Sequence, residues 1–235
     1  MDLLTEITDR ATPAGVVPEL DLPGLAGVLV LAAVAVTWWP VWRVLRLVVT
    51  LVHELGHALV GVMAGRRLAG FVLRADMSGH AVTVGPAKGP GVVATTWAGY
   101  PAPALLGALL VWLASAGWSA PLLTVLLLGL LVSLVFVRSA LTLVVVTGTA
   151  GALGGLWWWG DASLQHHLVV ALGVFLLVGA WRHLGTVIGG GDPTSDPAAL
   201  ARATRVPAGV WLASFVLVLG LATWVVATEA LAVRA

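Results

Sequence analysis

The chain has 235 residues, 60% of them hydrophobic and 10% charged, with a mean hydropathy of +1.02 and a formal net charge of +1. A soluble domain of this length carries roughly a quarter charged residues, so the composition excludes an ordinary water-soluble fold and places the chain in a lipid bilayer. Near-neutral charge without a dense basic stripe excludes nucleic acid as a partner, and the lack of Cys excludes disulfides, thiolate metal sites and a Cys nucleophile.

Residues 1–23 read as a retained acidic tail. Asp2, Glu6, Asp9, Glu19 and Asp21 outweigh Arg10 where a signal peptide needs positive charge. Residues 24–235 then read as one transmembrane domain, because apolar runs long enough for about 30 Å of hydrocarbon follow one another with little between them. The expected spans are 24–42, 47–65, 91–116, 119–137, 139–159, 165–183 and 208–228. The fold class is therefore an all-α polytopic membrane protein of about six to seven transmembrane helices, with a short membrane-associated β-hairpin after the second. Gly99, Tyr100, Pro101 and Pro103 should kink the third span, and Gly148, Gly151, Gly154 and Gly155 read as helix-packing positions.

The second span contains His53-Glu54-Leu55-Gly56-His57. On a helix, histidines four residues apart share a face and can ligate one metal ion, with Glu54 beside them as a general base. Three ionisable side chains in five positions of an apolar helix are costly in a bilayer and mark function. A structural or sensory metal site is the alternative reading, and Glu54 is the residue it does not need. After this helix, residues 71–84 alternate weakly and turn at Met77-Ser78-Gly79, which predicts a hairpin with Asp76 and His80 beside its turn.

A catalytic zinc takes three protein ligands. The candidates for the third are Asp76, His80, Asp161, His166, His167, His183, Asp192 and Asp196. Asp161, His166 and His167 fall in a solvated loop on the other side of the membrane, and His183, beside Arg182, reads as an interfacial cap. Asp192 and Asp196 remain, in the stretch Gly189-Gly190-Gly191-Asp192-Pro193-Thr194-Ser195-Asp196-Pro197. Asp196 also looks like a helix N-cap before a first-turn proline.

The Lys/Arg distribution predicts a cytoplasmic N-terminus. Arg10, Arg66, Arg67, Arg74, Lys88, Arg138, Arg182, Arg202 and Arg205 then fall inside, and Arg43, Arg46 and Arg234 outside. The same choice puts Trp38, Trp39, Trp42, Trp118 and Trp157 to Trp159 at the outer interface. The interruptions at 68–90 and 184–207 then frame one watery vestibule around the histidines.

The sequence resembles peptidase family M50, the site-2 protease type of intramembrane zinc metalloproteases, and within it the compact bacterial M50B-like branch. The resemblance rests on His53-Glu54-Leu55-Gly56-His57-Ala58 in a span, Gly99-Tyr100-Pro101 in the next, and Ser195-Asp196 with Ala199-Leu200 before the last. It implies a zinc endopeptidase of the bacterial inner membrane that cuts a membrane protein or peptide substrate in or near a transmembrane segment. Zn2+ would be held by His53, His57 and a later Asp, here Asp196, with Glu54 catalytic. The chain departs from better-studied members in having no Leu-Asp-Gly motif, no Asn and no inserted PDZ domain.

Overall fold

The protein is described by a computed structural model covering residues 5, 7–8, 10–76, 78–190 and 192–232. Met77 and Gly191, which the hairpin turn and glycine run include, lie outside the described residues.

Helix α1 (Leu22–Thr37) starts where the Asp21 carboxylate accepts the Gly24 N–H at 2.8 Å, with Pro23 in the first turn. It ends at Trp38, and α2 (Trp39–Met63) begins at once with Pro40 in its own first turn. The expected break at Arg43 and Arg46 is absent. Arg is a good helix former, and the Arg182 guanidinium lies over the buried Trp42, 4.4 Å from the ring centroid, so this stretch continues as helix rather than being released as a loop.

Strands β1 (Arg67–Leu73) and β2 (Gly79–Val84) pair antiparallel, with Phe71 opposite Ala81 and Val72 opposite His80. A bulge between Leu68 and Gly70 bends β1, and Gly70 sits at φ 153° where a Cβ would run into Arg138 and the Phe136 carbonyl. The outer edge of β1 is covered: Arg138 donates its N–H to Phe71 O at 3.1 Å, and Leu73 donates to Thr142 Oγ1 at 2.7 Å. Among the described residues, the outer edge of β2 has no partner strand.

The expected third span is broken into α3 (Pro90–Trp97) and α4 (Pro101–Ser115), bent by 63° at Ala98-Gly99-Tyr100. α5 (Ser119–Ser133) continues through a 3-10 turn (Leu134–Phe136) to α6 (Ala140–Trp159), followed by α7 (Ala162–Gly185), α8 (Asp196–Thr204) and α9 (Ala208–Ala232). In lipid, helices gain little from apolar burial and associate through close packing of small residues. α4 and α7 do this at Gly107 and Gly173, where a Cβ on either would lie 2.5 or 2.7 Å from the other's carbonyl oxygen. The α6 glycines are not used this way: Gly148 and Gly151 face open space.

Among the described residues, five helices, α2, α5 with its 3-10 turn, α6, α7 and α9, are long and apolar enough to cross a membrane, or six spans if the bent pair counts as one. α1, at 16 residues, is shorter. The all-helical multi-pass fold with one hairpin is thus as the sequence indicates.

The distribution between the two ends differs from expectation. Arg10 donates to Trp157 O at 2.9 Å, the Trp157 indole donates to Arg10 O at 3.1 Å, and Ala14 donates to Gly117 O at 2.9 Å. The tail therefore shares an end with Trp118 and Trp157, where a cavity of about 530 Å³ lies beneath it, lined in part by Arg10, Asp161 and Gln165. Arg46 and Arg182, expected on opposite sides, act on each other's charge near the other end of α7. Trp118 and Trp157, expected with Trp42 at the end away from the tail, thus lie at the tail's own end.

Candidate metal centre

Three elements distant in sequence meet at one point. α2 presents His53 and His57 one turn apart, 7% and 9% exposed, and α8 presents Asp196. His53 Nε2 and His57 Nε2 are 3.1 Å apart, and each lies 3.2 Å from Asp196 Oδ2. Among the described residues this is the group of His, Asp and Glu side chains close enough together to hold a metal ion.

The triangle suits an ion. His57 Nδ1 lies 2.7 Å from the Thr95 carbonyl oxygen, to which it can only donate, so the neutral ring turns the Nε2 lone pair toward the site. A carboxylate oxygen and a second imidazole nitrogen face that lone pair at hydrogen-bonding distance. A proton on His53 Nε2 can serve one of these contacts at a time, whereas a cation at the centre satisfies all three. Tetrahedral zinc, with bonds of about 2.0–2.1 Å to nitrogen and oxygen, spaces its ligand atoms by about 3.3 Å. The observed edges are close to that value.

Glycines bring the walls in. A Cβ on Gly56 would lie 2.5 Å from Ala102 Cβ and 3.0 Å from Ala98 O, so its absence lets the α3–α4 elbow settle on α2. That approach delivers Gly99, where a Cβ would stand 2.4 Å from His57 Nε2 and 2.6 Å from His53 Nε2. Tyr100 then packs edge-on against the His53 ring at 4.8 Å and stacks on Phe215 at 5.2 Å.

Glu54 is 4% exposed and turns from the histidine face toward β2, where a Cβ on Gly79 would meet Glu54 Oε1. Its Oε2 has no hydrogen-bond partner among the described residues. A buried carboxylate with an uncommitted oxygen, beside a triad that could hold a metal ion and at the start of an open strand edge, can hold and transfer a proton.

Asp196 is not the expected N-cap. Ser195 holds that position and Asp196 is the first helical residue, so its carboxylate is free of capping and turned toward α2. Burial works to raise its pKa, but hydrogen bonding with His53 and then His57 holds the carboxyl well below the usual range. Asp192 is exposed and committed to its own turn, accepting the N–H and hydroxyl of Thr194 at 2.8 and 2.7 Å, which lowers its pKa. Asp76 is engaged likewise by the hydroxyl and N–H of Ser78, and His80 is an exposed strand residue.

At the far end, Asp161 caps α7 by accepting the Leu164 N–H at 2.7 Å. His166 is 3% exposed in the first turns of α7, not in a solvated loop, because the helix begins earlier than the apolar run suggests. His183 is not a cap: its ring packs 5.2 Å from His53 and 5.3 Å from Tyr100. The roles of Gly56, Gly99 and the Thr95 carbonyl were missed. A backbone oxygen carries no side-chain signal, and a Gly before Tyr-Pro reads only as a bend.

The spacing of His53, Glu54 and His57 on one buried helix is that of the HExxH motif of metallopeptidases. The family model described as Peptidase M50B-like matches residues 26–226, and the chain belongs to that family. No curated protein and no solved structure matches the chain.

Proposed function

We propose that the protein is a zinc-dependent intramembrane endopeptidase that hydrolyses a peptide bond in or near a transmembrane segment of a membrane protein substrate. The observation that carries this reading is the buried Glu54, with an oxygen uncommitted, beside His53, His57 and Asp196. A structural metal site needs three or four ligands and no such acid.

His53, His57 and Asp196 would hold the ion. When bound, the ion supplies Lewis-acid polarisation of the scissile carbonyl and lowers the pKa of water. Glu54 takes the proton of the attacking water and returns it to the leaving amine. Gly99 keeps the face toward the α3–α4 elbow clear of side-chain atoms. The open edge of β2 starts at Gly79, against Glu54, and can hold a locally unwound substrate segment as an added strand. Unwinding is required because a helical peptide buries its carbonyls in its own hydrogen bonds.

The test is metal analysis of the purified protein together with cleavage of single-span substrates by wild type and Glu54→Gln. The variant should keep its metal and lose cleavage, whereas His53→Ala and His57→Ala should lose both. Undiminished turnover by Glu54→Gln removes the general base and leaves the metal-scaffold reading.

A further inference from the structure

Two arginines stand near one another, about 10 Å along α2 from the candidate metal centre, without an ion-pair partner among the described residues. Arg46 lies on α2 seven residues before His53, and Arg182 on α7 immediately before His183, whose ring packs on His53. The Arg182 guanidinium lies over Trp42, one turn before Arg46 on the same face of α2, so the two cations are near enough to act on each other's charge. Among the described residues neither makes a salt bridge or a side-chain hydrogen bond. Asp76, whose charge also reaches Arg46, does not form an ion pair with it and has Oδ1 taken by Ser78. Both arginines are half-buried. Like charges brought together among apolar helices are unfavourable unless something anionic joins them, and unpaired ionisable groups in such a setting mark a functional site.

We infer that Arg46 and Arg182 form a subsite for a carboxylate of the peptide substrate, three residues from the scissile bond. The inference rests on the endopeptidase reading and names its specificity. Seven residues of helix separate Arg46 from His53 by about 10 Å, and three residues of extended chain cover the same distance at about 3.3 Å each. The path is laid out by the hairpin. β2 runs along α2 from Gly79, against Glu54, to Thr83, against Gly61. A strand added to its open edge and extended past Gly79 heads for the hairpin turn and Arg46. Two guanidinium groups, one seated over an indole ring, match the planar fork of an Asp or Glu side chain or a C-terminal carboxylate. The partner is thus an acidic peptide segment at the membrane edge, not a uniformly apolar one.

The experiment uses full-length zinc-loaded Glu54→Gln protein in zwitterionic vesicles. The probes are fluorescent single-span peptides with Asp, Asn or Lys walked through the positions flanking the membrane edge. Binding should favour Asp over Asn by roughly ten- to a hundredfold at one position only. Arg46→Gln or Arg182→Gln should bring that ratio near one, and Arg182→Glu should turn it toward Lys. Wild-type cleavage of the same peptides locates the scissile bond three residues away. Equal binding of Asp and Asn peptides overturns the subsite, as does a preference that survives both Gln variants. Equal binding of Asp and Asn peptides, together with phosphatidylglycerol that co-purifies with the wild-type protein but not with the Gln variants, would assign the arginines to lipid instead. An Asp preference in binding without wild-type cleavage would keep the subsite and refute the endopeptidase reading; cleavage without preference would do the reverse.

Discussion

Gly99→Ala adds one methyl group at the point where His53 and His57 converge. The new Cβ would stand 2.4 Å from His57 Nε2, 2.5 Å from its Cε1 and 2.6 Å from His53 Nε2. Carbon and nitrogen in contact sit at about 3.5 Å, so the ligand atoms must retreat by about 1 Å. The rings have little freedom to do so: His57 is tied to the Thr95 carbonyl at 2.7 Å, and His53 is wedged between Tyr100 and His183. Metal–ligand distances tolerate only about 0.2 Å. We therefore expect zinc affinity to fall at least a hundredfold, about 2.8 kcal/mol, with cleavage lost in proportion. The assay is zinc retention against a chelator series, with Gly148→Ala, whose Cβ enters open space, as the control. Comparing apo proteins by thermal melting separates loss of the site from loss of the fold. Wild-type zinc affinity in Gly99→Ala would refute the argument, since it would mean that the elbow does not line the ligand atoms.

Gly79→Ala places its methyl against Glu54 Oε1 and spares the histidines; zinc content should remain and turnover should fall by at least tenfold, read by parallel metal analysis and single-turnover cleavage. Asp196→Ala should release zinc, because it removes one corner of the ligand triangle, whereas Asp192→Ala should keep it, because that carboxylate closes only an exposed turn around Thr194; zinc stoichiometry of the two purified variants decides.

The parts of the site legible in sequence are those set by local spacing. His53 and His57 share a face because four residues make about one helical turn, and the weak alternation of 71–84 gives a hairpin because turn residues interrupt it. Asp196 reads as the candidate third ligand because it follows a glycine run and begins a segment that can continue as helix; in the structure Ser195 takes the cap position and the Asp196 carboxylate lies against the two histidines. What could not be read locally are relations between distant segments. Arg43 and Arg46 look like the end of a span until Trp42 is seen beneath Arg182. Arg10 looks like a cytoplasmic charge until it is found bonded to Trp157. His166 looks like a loop residue because composition does not reveal that Asp161 starts a helix before it.

The order in which the ligands appear along the chain has its own consequence. His53 and His57 emerge with the second helix, but Asp196 arrives only after α3 to α7 have been made, and it is held in place by α9 through the packing of Leu200 with Phe215 and Leu219. A nascent or truncated chain therefore carries the histidine pair and the acid without the third corner of the triangle. The three-cornered arrangement thus depends on α8 and α9 being in place, and a chain cut before residue 196 keeps only the local spacing of the HExxH helix.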